Sequence, residues 1–177
     1  MSKRPNYIAA VDPGLQGAIC VIESPSGKLA SKFTFDKDSS GKIDWIKMRE
    51  LVEKINDVYS PTWVVEKLQP IFGISKSSAW SLADNWGTIK GILIGLYCPD
   101  FILVTPKDWQ KKVHIPTDVV LKKGKKTKDP KLTSLKSAER LYPRESFLYG
   151  DNEKQSGRRT KPNLGIVDAL LIAHANL

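Results

Sequence analysis

The spacing of hydrophobic and polar positions changes period several times along the chain. Residues 6 to 12, 17 to 23 and 28 to 35 alternate or run apolar, separated by PGLQ and SPSG, and this predicts a three-stranded antiparallel meander. From 43 to 59 the apolar residues fall at 43, 46, 48, 51, 52, 55 and 58, the spacing of an amphipathic helix. TWVVEKL then predicts a short strand from Thr62 to about Glu66. A helix over about 75 to 97 follows, capped by Ser75 or Ser77 and ending before Pro99. FILVTP predicts a strand over 101 to 105, DPKLTSLKSAERLYP a helix over about 130 to 142, and LGIVDALLIAHANL a strongly apolar closing helix after a polar segment at 150 to 163. Strands separated by helices after residue 40 imply right-handed crossovers and parallel pairing. The expected fold is α/β: a five-stranded mixed sheet, three antiparallel strands then two parallel, flanked by helices. With 177 residues, 41% of them hydrophobic, and no internal repeat, one domain spanning 1 to 177 is expected.

Three acids break otherwise apolar elements. Asp12 ends the first strand, Glu66 ends the fourth, and Asp168 lies inside the last helix. Asp12 before Pro13-Gly14 reads either as a turn former or as a carboxylate compensated by a cation, because an unpaired buried acid costs several kcal/mol on the order-of-magnitude scale. A single acid in such a setting is often a half-exposed edge residue. Two at adjacent strand ends facing a third from a helix instead make an oxygen-ligand cage suited to Mg2+ or Mn2+. Two ions about 4 Å apart in such a cage serve phosphodiester hydrolysis.

Charge adds a partner. The net charge is +9, and from Lys107 to Lys131 nine lysines stand against three aspartates. LKKGKKTKDPK, within a loop at about 116 to 130, is almost free of apolar residues, so it is expected to be a mobile basic loop, either simply solvated or holding a phosphodiester backbone, and not an amphipathic membrane helix. MSKRPNY lacks the apolar core of a signal peptide and no run approaches ~18 apolar residues, so a soluble, unsecreted, cytoplasmic protein with no membrane partner is expected. Cys20 and Cys98 show no metal spacing and are expected to be reduced, buried thiols.

AAVDPGLQGA, VVEKLQPIFG and GIVDALLIAHA, in that order and spacing, resemble the RuvC-type Holliday junction resolvases of the ribonuclease H-like superfamily. SAWSLADNWGTIKGILIGL and FILVTPKDWQKKV extend the resemblance over nearly the whole chain, and TPKDWQKKV with DALLIA is most similar to the phage-encoded and plant organellar branch. The resemblance implies a homodimeric endonuclease of DNA recombination and repair that makes paired symmetric nicks in four-way junctions, with two Mg2+ or Mn2+ ions per active site, no nucleotide cofactor, and a bacteriophage origin. It makes Asp12, Glu66 and Asp168 the catalytic metal ligands. Lys107 joins them as a catalytic candidate, Lys107, Lys111 and Lys112 are candidate phosphate contacts, and Lys122, Lys123, Lys125, Lys126, Arg158 and Arg159 extend the DNA-binding set. Phe72 stands where the family inserts a side chain at the junction centre; it would stack on bases or pack under its own loop.

The family usually carries an acid or His one helical turn before the last aspartate, and here that position is Gly165; Asn163 or a water is the candidate substitute, while His174 sits at a poor angle. Trp109 is expected in the core or a dimer contact. Gly87, Gly91 and Gly95, four residues apart in the helix after Glu66, suit either a dimer interface or the monomer core. Two further readings remain open: a nuclease for other branched or flapped DNA or an RNA-processing enzyme of the same fold, and a non-catalytic nucleic-acid binder. Acids that repel phosphate argue against the last.

Overall fold

The computed structural model describes residues 6–69, 73, 75–96, 100–123, 126–153 and 159–177. The expectations for Phe72, Lys125, Arg158 and Cys98 therefore lie outside the described residues. The meander forms as β1 (Asn6–Asp12), β2 (Ala18–Ser24) and β3 (Leu29–Thr34). It is followed by α1 (Trp45–Tyr59), β4 (Thr62–Glu66), α2 (Lys76–Gly95), β5 (Ile102–Val104), α3 (Pro106–Val113), a 3-10 turn (Pro116–Asp118), α4 (Pro130–Leu141) and α5 (Leu164–His174). The sheet order is β3-β2-β1-β4-β5, with β1 antiparallel to β2 and parallel to β4, and β4 parallel to β5. This is the mixed five-stranded sheet that the pattern predicts.

Alternation along the strands sorts the core into two layers. Ile8, Ala10, Cys20, Ile22 and Val64 face α5, with Trp109 and Val113 of α3 and Ala138 of α4 closing over it. Ala9, Val11, Ile19, Val21, Trp63 and Val65 face α1 and α2 on the other side. α5 is apolar around almost its whole circumference because it runs between the sheet and the α3–α4 layer: Ile166, Val167 and Ala169 to Ala173 are all buried. Against that background a carboxylate at 168 is costly. The Cys20 thiol is buried and donates to the Ile166 carbonyl at 3.5 Å, and burial pushes it up from its ordinary value, which suits an inert reduced thiol.

Each helix entry is capped as its sequence dictates. Asp44, Ser75, Thr105, Asp129 and Asn163 each accept backbone N–H bonds at an N-cap, and Pro106 and Pro130 take the first helical positions. The sequence reading leaves 106–113 without an element, although Thr105-Pro106 and Asp108 are start signals and Trp109 with Val113 makes an i, i+4 apolar pair. The basic loop is tied at its base. Asp118 is buried, paired with Arg140 at 2.9 Å and accepting from Ser137 at 2.8 Å, and an isolated bridge joins Leu121 to Lys128. Gly87, Gly91 and Gly95 do not face the core: among the described residues, a Cβ at any of them would meet nothing within 4 Å. Trp80 (77% exposed) and Ile94 (59%) also stand out from α2. Among the described residues no helix is long and apolar enough to cross a membrane.

Candidate active site

The register of the parallel pair places two of the acids. Val11 partners Val65, so the next residues, Asp12 and Glu66, end neighbouring strands, which run about 4.8 Å apart. Both belong to the alternation that faces α5, and α5 presents Asp168 toward them. The three carboxylates are half-buried; the charge of Asp12 acts on both Glu66 and Asp168, and that of Glu66 on Asp168. Burial pushes Asp12 up to about 6, against the Gly14 N–H it accepts and the charge of Lys131. Burial, and then the charge of Asp12, pushes Glu66 up to about 7, against a hydrogen bond from Trp109. Burial and the charges of Asp12 and Glu66 push Asp168 up to about 8, against a hydrogen bond from Ser134 and the charge of Lys131.

The turn-former reading of Asp12 is met in the structure. Its Oδ1 accepts the Gly14 N–H at 3.1 Å as a turn former, yet the carboxylate remains in a protein environment that resists its charge. The turn itself is pressed onto α5. A Cβ at Gly165 would strike the Gln16 carbonyl oxygen and stand 2.8 Å from Gly17 Cα, so no side chain fits at 165. Close approach of the β1–β2 turn to the first turn of α5 is what brings Asp12 and Asp168 together, and a further acid at 165 is sterically excluded. Asn163 is spent elsewhere, its Oδ1 accepting from the N–H groups of Gly165 and Ile166 as the α5 cap. His174 is bonded to Tyr142 at the far end of α5.

Among the described residues no group of three or more His, Cys, Asp and Glu side chains is disposed to hold a metal ion. The donor chemistry nevertheless suits a hard divalent cation: three carboxylates, all raised by burial and two of them also by a neighbouring carboxylate's charge, none in an ion pair among the described residues. A pH dependence follows from the acids alone. Their folded values lie above the ordinary 3.8 to 4.5, so the stability they allow is full below about pH 4 and lost as pH rises through 6 to 8. In the presence of a chelator, thermal melts are expected to show a lower midpoint at pH 8 than at pH 5; an unchanged or higher midpoint at pH 8 would remove the repulsion inferred here.

Solved structures match this architecture, two RuvC structures among them. T. thermophilus RuvC in complex with a Holliday junction substrate superposes with a TM-score of 0.61 and 12% identity, over 96% of this chain and 91% of that one. A further Thermus thermophilus RuvC structure gives 0.54 and 14%, over 96% and 92%. The chain has the RuvC fold, which is ribonuclease H-like. No protein-family model and no curated protein matches the sequence.

On this RuvC-like frame the basic residues divide. Lys107, Lys111, Lys122, Lys123 and Lys126 are exposed. Lys112 turns away and donates to the Ala175 carbonyl at 2.7 Å, closing the C-terminal end of α5. Arg159 pairs with Glu153 at 2.8 Å and stands over the Tyr149 ring. Among the described residues, the charge of Lys131 reaches the acids, acting on both Asp12 and Asp168. The sequence reading counts it in the basic run without giving it a place in the site; its position in the first turn of α4, just after Asp129-Pro130, is the signal that could have found it. Lys131 also lines a groove with Gln16, Arg159, Thr160, Lys161 and Asn163, beside the acids. A larger cavity of about 850 Å³ opens at the opposite edge of the sheet, by Tyr7, Thr62 and Ile102 where the parallel strands begin. Ligands of open α/β sheets bind at the other end, where strands finish.

Trp109 is the second omission. Expected only as packing, it is buried and donates its indole N–H to Glu66 Oε1 at 2.8 Å, while Trp86 donates to the Glu66 backbone carbonyl at 2.9 Å. Glu66 is thus held through both its side chain and its backbone.

Proposed function

We propose that this protein is a divalent-metal-dependent endonuclease that resolves four-way DNA junctions by paired nicks. The observation that carries the reading is the convergence of Asp12, Glu66 and Asp168, from two adjacent strand ends and one helix, on a RuvC-like fold with exposed lysines alongside. Asp12, Glu66 and Asp168 would hold two Mg2+ or Mn2+ ions. Bound there, such ions supply the positive charge that activates a water and offsets the charge developing on phosphate and leaving oxygen. The half-buried setting of the acids keeps bulk water from screening that charge. Lys131 and Lys107 flank the strand ends and draw a phosphodiester toward them, while Lys111 and the Lys122, Lys123 and Lys126 hairpin hold the backbone further out. Symmetric nicking needs two active sites, and the outward face of α2, with Trp80, Ile94 and its three glycines, is the surface on which a second copy docks.

The test is a labelled synthetic four-way junction beside a matched duplex and a flap, in Mg2+, with the Asp12→Asn protein in parallel. Paired symmetric nicks in the junction alone, absent with Asp12→Asn, are expected. Equal cutting of the flap would replace this reading with a general branched-DNA nuclease, and tight binding without cutting in Mg2+ or Mn2+ would make the protein a non-catalytic binder.

A further inference from the structure

Around Glu66 and Asp168, α3, α4 and the segment between them contribute a connected set of polar groups. Trp109 Nε1 donates to Glu66 Oε1 at 2.8 Å. The Trp109 ring meets the His114 ring edge-on, with centroids 5.7 Å apart. His114 Nε2 lies 3.4 Å from Ser134 Oγ, and the Ser134 hydroxyl acts on the Asp168 carboxyl, holding its proton affinity down. On its other side His114 Nδ1 is 2.9 Å from Lys128 Nζ, at the base of the basic hairpin. Trp109 and Ser134 are each 2% exposed.

The donors and acceptors in this set run in one direction. An ammonium group has three donors and no acceptor, so His114 Nδ1 accepts from Lys128 and the imidazole carries its proton on Nε2. That N–H points at the Ser134 oxygen, which leaves the Ser134 hydroxyl proton to go to Asp168. Burial and the Lys128 charge push His114 down to about 4, in keeping with a neutral ring at pH 7. Indole and hydroxyl are neutral donors. They fix one oxygen of each carboxylate without cancelling its charge, where a lysine or arginine in the same place would compete with a cation.

We propose that Trp109, His114 and Ser134 form a bracket, joined by the Trp109–His114 ring contact and by polar contacts, that sets which way the Glu66 and Asp168 carboxylates face, with Lys128 fixing the tautomer of His114. These are positioning residues. The assignment rests on the reading of Glu66 and Asp168 as ion ligands, and extends it to side chains that touch neither ion nor DNA.

The test uses the full-length protein with Ser134→Ala, His114→Phe and His114→Gln. The readouts are the carboxyl 13C resonances of Asp168 and Glu66 in the ion-free state, the thermal midpoint, and Mn2+ affinity by calorimetry. Ser134→Ala is expected to shift the Asp168 resonance and weaken Mn2+ binding about 10-fold or more, the usual scale for losing an outer partner of a metal ligand, with the midpoint little changed. His114→Phe keeps a ring against Trp109 but has no N–H. It should reproduce both effects although it does not touch Asp168. His114→Gln, whose amide can accept from Lys128 and donate to Ser134, should restore them. An Asp168 resonance and Mn2+ affinity unmoved by His114→Phe would overturn the bracket. Wild-type protein that takes up no Mn2+, while the Asp168 resonance still follows His114→Phe, would overturn the ion-ligand reading and leave the bracket standing.

Discussion

Asp168→Asn is expected to abolish junction cleavage and, in the same protein, to raise the thermal midpoint of the ion-free state at pH 8. The two effects share one cause. Asp168 sits on a helix that is otherwise buried, its carboxyl pushed up to about 8 by burial and by the charges of Asp12 and Glu66. An asparagine of the same shape still accepts from Ser134 through its Oδ1, so packing survives while the repulsion disappears. A tenfold change in proton affinity corresponds to about 1.4 kcal/mol, and a recovered stability of roughly 1–3 kcal/mol would raise the midpoint by roughly 2–12 °C for a chain of this size. Activity moves the other way. Losing about 4 kcal/mol of transition-state stabilisation with a ligand of the cation site slows cleavage about a thousandfold. Melting curves in a chelator and single-turnover cleavage of the junction check the pair. A lower midpoint together with undiminished cleavage would make Asp168 a structural residue and remove the proposed site.

Gly165→Ala is expected to be the most damaging single-methyl change. A Cβ at 165 has no flexible neighbour to displace: it faces the Gln16 carbonyl, with Gly17 Cα 2.8 Å and the Gln16 carbonyl carbon 2.9 Å away. Either the β1–β2 turn or α5 must retreat, at a cost of about 3 kcal/mol or more. The midpoint should fall by roughly 6–12 °C. Whatever fraction stays folded should cleave poorly even below its melting temperature, because the same retreat separates Asp12 from Asp168. A variant as stable as the parent in chemical denaturation would show that the turn does not rest on α5 as described. The position that looks like a missing acid in the sequence is thus a glycine for packing reasons, and a fourth ligand cannot be restored there by substitution.

Much of the architecture is legible in the sequence alone. Alternation in 6–12 and 17–23 marks strands because successive side chains point to opposite faces, and the i, i+3, i+4 recurrence over 43–59 marks α1 because that spacing puts apolar groups on one stripe. Asp12, Glu66 and Asp168 are visible for the same reason: each is an acid where the local pattern calls for an apolar residue. These are properties of the chain within a few residues of each position. Helix α3 is equally local in its signals, with Thr105 as cap and Pro106 at the first position, but its apolar pair spans only one turn and so makes no helical periodicity.

The site's support is of another kind. Trp109 reaches Glu66 across 43 residues of sequence, Lys112 reaches Ala175 across 63, and Lys131 comes beside Asp12 and Asp168 only because α4 packs on α5. No periodicity encodes such pairings, since the crossover from β4 through α2 to β5 and the seating of α3 and α4 over α5 decide which side chains meet. The sequence by itself determined where an unpaired charge would be costly. Only the tertiary structure decided what surrounds that charge, because a carboxylate's neighbours are set by how the layers pack, and packing is a property of the whole chain.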